Sequence, residues 1–213
     1  MKTRTSDPEL TAAVQEGLMK AEINDYLSQE FLKEGYSSMT MKLSETPKKL
    51  TITISDTSEL LGEDRSRYNQ IKFLIAKRLG VDITELEMLV QKNKFPGLCP
   101  ATQAEFIRSE MEGNNPHRRA VQRAIRNIKK DGAQGVMICV RGKLKGQRAR
   151  EVKTIDGRVL FAGEVAKKYM RTAQSTLYTK TGIIGIKVYI CLPYDEEGIK
   201  GPNVRPVDKI TLL

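Results

Sequence analysis

The chain is poor in the residues that build most catalytic and metal centres. Its 213 residues include one histidine, His117, which excludes any triad or metal set that needs two imidazoles. Cysteine is scarce as well: Cys99, Cys139 and Cys191 are widely separated and form no C-x-x-C pair. An odd count of spaced thiols argues against a disulfide framework and predicts a reducing compartment. Tryptophan is absent and aromatic residues reach only 6%, so platforms for base stacking are few. Long apolar runs are missing too. The polar stretch Met1 to Glu9 carries no secretory signal, and the run Gly182 to Pro193 is short and interrupted by Lys187. These absences predict a chain that is neither secreted nor membrane-spanning.

What the chain does have is positive charge. Lys and Arg number 36 against 26 Asp and Glu, a formal net charge of +10, beside 39% hydrophobic residues that suffice for a core. The charge is unevenly placed. Residues 1 to 94 hold 14 cations and 15 acids, whereas residues 118 to 153 hold 12 cations and 2 acids and so account for the whole net charge. Solvated charge runs normally mix signs; this one is nearly pure and predicts a surface for a polyanion.

In the N-terminal half, Met19, Ile23, Tyr26, Leu27 and Phe31 recur at helical spacing between Gly17 and Lys33. Met39, Met41 and Leu43, then Leu50, Ile52 and Ile54, alternate as two neighbouring strands. A short helix from Ser58 to Leu61 reaches Gly62, a second helix carries Tyr68, Ile71, Leu74, Ile75 and Leu79, and Leu86, Met88 and Val90 mark a third strand. The order helix, strand, strand, helix, helix, strand resembles a type II KH domain, whose G-x-x-G loop clamps a nucleic-acid backbone. The loop here reads Gly62, Glu63, Asp64, Arg65. It lacks the second glycine and sets two carboxylates against a phosphate, with Arg65 and Arg67 only cancelling them. The expectation is a structural or protein-docking module.

Phe95-Pro96-Gly97 breaks the pattern and reads as a domain boundary, and helices follow from Ala101 to Met111 and from His117 to Lys130. In the second, Arg119, Arg123, Arg126 and Lys130 fall in a stripe about 60° wide, opposite Val121, Ala124, Ile125 and Ile128, with Arg118 extending the stripe. No acid precedes Asp131 in this helix, so the stripe is expected to be unpaired. A strand follows with Val136, Ile138, Val140 and Leu144 on one face and Met137, Cys139, Arg141, Lys143 and Lys145 on the other. Arg148 and Arg150 continue the cationic track into a turn before a strand around Glu151 to Ile155. The segments Tyr169 to Lys180 and Ile183 to Leu192 complete a mixed, mostly antiparallel sheet, giving two α+β domains. Their expected bounds are an N-terminal extension 1–16, a KH domain 17–94, a second α+β domain 95–193 and a tail 194–213.

Gly132-Ala133-Gln134-Gly135, Gly142-Lys143-Leu144-Lys145-Gly146-Gln147-Arg148-Ala149, Gly182-Ile183-Ile184-Gly185-Ile186-Lys187-Val188 and Leu192-Pro193 together resemble the KH-domain protein family of the small ribosomal subunit. This is the universal "S-three" family, and the eukaryotic and archaeal branch fits best. Lys20-Ala21-Glu22 and Gly97-Leu98-Cys99 match that branch in the same order. The resemblance implies a ribosomal, cytoplasmic protein of the subunit head near the mRNA entry channel, with a nucleolar assembly stage in a eukaryote. It implies no cofactor, metal or active site. Arg118 and Arg119 stand where the family has an arginine pair that faces mRNA. Arg123, Arg126, Lys130, Arg141, Lys143, Lys145, Arg148 and Arg150 are expected on ribosomal RNA, and neighbouring head proteins are expected partners. The chain reaches Leu213 without a long polar tail, so contact with a WD-repeat scaffold of the head is expected to be reduced.

Two rivals remain at this level. A free-standing KH regulator would need a working loop in the N-terminal half, where the charge is absent. A DNA-repair-type lyase or nuclease would need a placed base, a metal cluster or a Schiff-base lysine. His117 reads as a helix-entry residue or an RNA contact, and Asp195-Glu196-Glu197, the only acidic cluster of the C-terminal half, reads as a solvated turn.

Overall fold

A computed structural model describes residues 8–32, 34–43, 47–61, 65–144 and 146–205. They divide into two compact units, with the division between Asn93 and Lys94.

The first unit contains α1 (Pro8–Glu30), β1 (Tyr36–Lys42), β2 (Lys48–Ile54), α2 (Ser58–Leu61), α3 (Ser66–Leu79) and β3 (Leu86–Lys92). The sheet order is β1-β2-β3, with β1 antiparallel and β3 parallel to the central β2. Leu50, Ile52 and Ile54 of β2 are fully buried and share one core with Ile23, Leu27 and Phe31 of α1 and Ile71 and Ile75 of α3. The alternating and helical periods of the sequence therefore converge on one core, as α+β packing requires.

Three details differ from the sequence reading. Residues 8–16, expected as an extension, belong to α1. Proline is tolerated at a first helical position, Ala12, Ala13 and Glu16 are strong helix formers, and the helix runs on through Gly17. Leu74 is 49% exposed and not part of the core. At 100° per residue it lies about 105° from the centre of the stripe that Tyr68, Ile71, Ile75 and Leu79 define. Arg67, read as balancing loop charge, is engaged on α1: its guanidinium donates to the Glu34 carboxylate and to the Glu30 backbone carbonyl at 3.1 Å, and lies over the Phe31 ring. It ties the start of α3 to the end of α1, and the Glu34 side chain is almost fully enclosed.

The second unit contains α4 (Pro100–Glu112), α5 (His117–Lys130), β4 (Gly135–Gly142), β5 (Arg150–Gly157), α6 (Gly163–Tyr169), β6 (Met170–Thr179) and β7 (Gly182–Cys191). The strands lie in the order β5-β4-β7-β6, and every pairing is antiparallel. Ala120, Val121, Ala124, Ile125 and Ile128 of α5 and Ala104 and Ile107 of α4 form one core with Val136, Ile138 and Val140 of β4 and Ile186, Val188 and Ile190 of β7. The sequence reading had no counterpart for α6, seven residues long, and continued β4 as far as Lys145. The strand stops at Gly142, whose φ of 143° favours glycine. Lys143 and Leu144 therefore sit in the connection to β5, and Lys145 is outside the described residues.

Residues 194–205 form a self-capped loop in which Glu196 and Glu197 lie exposed in a turn. The Asp195 carboxylate accepts backbone N–H bonds from Lys200 at 2.8 Å, Ile199 at 3.1 Å and Glu197 at 3.2 Å. Those donors, Lys200 first, hold its pKa below the usual aspartate value. The Tyr169 hydroxyl donates to the Val204 carbonyl and fastens the loop at its end.

The expected breaker Phe95-Pro96-Gly97 is docked on the end of α5. Gly97 donates its N–H to Asp131 Oδ2 at 2.6 Å, and a Cβ there would stand 2.6 Å from the Asn127 carbonyl oxygen. We expect Gly97→Ala to destabilise the second unit by about 1 to 3 kcal/mol, seen as a lower denaturant midpoint; an unchanged midpoint contradicts the clash. At exposed Gly17, by contrast, nothing lies within 4 Å of an added Cβ. Gly17→Ala should stabilise the first unit by roughly 0.5 to 1 kcal/mol, and a loss in the same unfolding experiment would show that the glycine is needed.

Candidate nucleic-acid interface

The long apolar face of α5 fixes where its cations can go. With Ala120, Val121, Ala124, Ile125 and Ile128 buried, Arg118, Arg119, Arg126 and Lys130 are exposed. Arg119, Arg126 and Lys130 keep the narrow stripe that their spacing predicts. The stripe is not wholly unpaired, however. Arg123 donates to Glu110 of α4 at 2.6 Å, where Asn115 also donates at 2.9 Å, and Lys129 meets Asp156 of β5 at 2.5 Å. The acids come from neighbouring elements, which spacing within one helix cannot reveal. Among the described residues no carboxylate pairs with Arg118, Arg119, Arg126, Lys130, Lys143, Arg148 or Arg150.

Arg141 is likewise committed. The antiparallel register sets it opposite Glu151, to whose Oε1 its Nε donates at 2.9 Å while Nη2 stands 2.9 Å from the same oxygen. Lys153 approaches the same carboxylate at 3.5 Å. The Arg141 hydrogen bond, ahead of its charge and that of Lys153, lowers the Glu151 pKa from its ordinary 4.5.

The structure brings together residues that the sequence reading assigned to separate ligands. Arg118 and His117, at the first turn of α5, line one cleft with Leu144, Gly146, Gln147, Arg148, Arg150 and Val152 from the connection after β4 and from β5. The cleft holds about 310 Å³. Arginine forks from two separate chain segments thus converge on one concavity beside the positive end of a helix. Next to it, Lys143 and Gln147 share a shallower depression with Lys180 and Thr181 of the β6–β7 turn. Lys180 and Gln147 were missed as site residues; the only available signal was a lone cation in a turn and a polar residue inside a cationic run.

Other expected features fall elsewhere. Gly62, Glu63 and Asp64 are outside the described residues, while Arg65 has φ 49° and ψ 22°, a left-handed conformation that costs a non-glycine residue about 1 to 2 kcal/mol. The backbone at position 65 thus has the conformation that a second loop glycine would take without strain. His117 is buried at the entry of α5 after Pro116. All three cysteines are buried and unbridged, and burial pushes the thiols of Cys139 and Cys191 up, which keeps them protonated near neutral pH and poor nucleophiles. Among the described residues no group of three or more His, Cys, Asp or Glu could hold a metal ion, and no helix is long and apolar enough to cross a membrane.

The Arg141–Glu151 pair yields a titration test. Because the folded pKa of Glu151 is depressed, the pair is intact above the ordinary carboxylate pKa and is lost as pH falls through the lowered value. Arg141→Gln should bring the Glu151 titration midpoint up towards 4.5 in an NMR pH series; an unmoved midpoint would mean that Arg141 is not the cause.

Two comparisons bear on this chain as a whole. Residues 107–190 match the family described as "Ribosomal protein S3, C-terminal domain", a span that includes α5, β4, β5 and the cleft between them. Over 209 residues the chain is also 41% identical to "Small ribosomal subunit protein uS3" of Encephalitozoon cuniculi, a match that takes in 98% of this chain and 97% of that relative. Such identity over both units, with the KH-type order of the first and the α+β sheet of the second, leaves one conclusion: the chain belongs to the uS3 family of small ribosomal subunit proteins.

Proposed function

We propose that this chain, a structural constituent of the small ribosomal subunit, sits in the subunit head at the mRNA entry channel. There its second unit binds ribosomal RNA and touches incoming mRNA. The observation that carries the reading is the convergence of Arg118 with Arg148 and Arg150 on one cleft, continuous with the exposed cations of α5. Arginine pairs bidentately with phosphate, and contacts of this kind read backbone and shape more than sequence.

Arg118 and Arg119 are the mRNA-facing pair in this proposal. Arg126, Lys130, Lys143, Arg148 and Arg150 hold ribosomal RNA, and Lys145 joins them from its place in the chain. Arg123 and Arg141 contribute less, since each already has a carboxylate partner. The first unit contributes contacts to neighbouring head proteins, and a WD-repeat scaffold of the head is a further partner. The role is mechanical: fixed positive charge holds strands, and no bond chemistry is involved. The protein works on cytoplasmic ribosomes, and in a eukaryotic cell it joins the subunit in the nucleolus.

Gradient sedimentation of a lysate tests the placement. The tagged protein should stay with small subunits through a high-salt wash, and a salt-stripped, mostly free pool would overturn it. For the isolated protein on single-stranded RNA, the log-log slope of affinity against salt should fall by roughly 0.7 for each of Arg118→Ala and Arg119→Ala. A loss of stability with an unchanged slope would make the two residues structural.

A further inference from the structure

A surface that only follows a phosphate backbone needs outward-pointing cations and no interior. The cleft beside α5 has an interior, and its lining includes two apolar side chains, Leu144 and Val152, that can serve as a floor. Phosphate oxygens gain nothing from such a floor; the face of a nucleobase does, since every base has a planar apolar surface. The volume of about 310 Å³ lies at the lower end of small-ligand cavities, about 300 to 1,000 Å³. It has room for one base with its sugar, and not for a stacked run of bases. The walls suit the rest of a nucleotide. Arg118 on the helix side and Arg148 and Arg150 on the strand side can hold the phosphates that flank a base turned inward. Gln147 offers both a donor and an acceptor to a base edge, and the guanidinium planes can cover the base.

From this geometry we infer that the cleft takes one unstacked nucleotide of a single-stranded RNA, its base against Leu144 and Val152 and its flanking phosphates on Arg118, Arg148 and Arg150. The inference rests on the RNA-binding reading of this surface, moves Arg148 and Arg150 onto the same strand as Arg118, and adds that this strand is pulled out of its stack at one position. Unstacking a base costs most in a duplex and least in an already single strand, so the site favours unpaired RNA and disfavours a helix passing the same residues.

The test uses the full chain and a short oligoadenylate with one 2-aminopurine, a base whose fluorescence is quenched by stacking. Binding should raise the fluorescence severalfold. Val152→Phe, which fills the cleft from a strand position that accepts aromatics, should abolish the rise while leaving the salt slope unchanged. Gln147→Ala, at an exposed position, guards against a misfolded Val152→Phe and should weaken binding by roughly three- to tenfold with the slope preserved. Binding without a fluorescence rise, or a rise that survives both substitutions, overturns the inference and leaves the backbone-binding surface standing. An oligomer that fails to bind the unaltered chain overturns both.

Discussion

Like charges crowded on one side of a helix repel one another, and α5 is held together by what lies on its other side. Each like-charged pair one turn apart costs a few tenths of a kcal/mol. Each valine or isoleucine taken from water into the core contributes about 1.5 to 3 kcal/mol. With Val121, Ile125 and Ile128 buried in one core with β4 and β7, together with Ala120 and Ala124, burial wins by a wide margin. The same burial fixes the helix rotation. The cations have no freedom to turn inward, and the first turn of α5 meets the β4–β5 connection with Arg148 and the start of β5 with Arg150. The cleft is thus a by-product of core packing, and its charge depends on apolar residues that never touch a ligand.

Repulsion is also relieved selectively. Glu110 and Asp156 each hold one cation and Glu151 holds two, and among the described residues none of the three pairs with a residue that lines the cleft. Surface pairs of this kind contribute little to stability, about 0 to 1 kcal/mol. Their larger effect is on the field: they subtract charge from the flanks of the basic track and leave its centre uncompensated. The cleft therefore stands out electrostatically because its surroundings have been neutralised.

Much of this was legible in the sequence, for reasons that particular residues make plain. The periods of Leu50, Ile52 and Ile54 and of Val121, Ala124 and Ile128 are local, and local patterns survive folding unchanged. The pure charge of residues 118 to 153 is local too, and the family motifs spread over both units are linear. What the sequence hid was relational. Glu110 lies 13 positions before Arg123 and Arg118 lies 30 before Arg148, and only packing brings either pair together. Glycine misled in two directions: Gly17 reads as a boundary but lies inside a helix, while Gly142 reads as part of a strand but ends it.

The fastening of residues 194–205 fixes a point of departure. Val204 is held by Tyr169, next to the start of β6, whereas Lys143, Lys180 and Thr181 gather near the far end of that strand. A ten-residue strand spans about 33 Å. A fluorophore carried at position 204 would thus sit a full strand length away from the depression that Lys143, Lys180 and Thr181 line. Attaching the protein through that loop leaves the basic end of the strand open to solution.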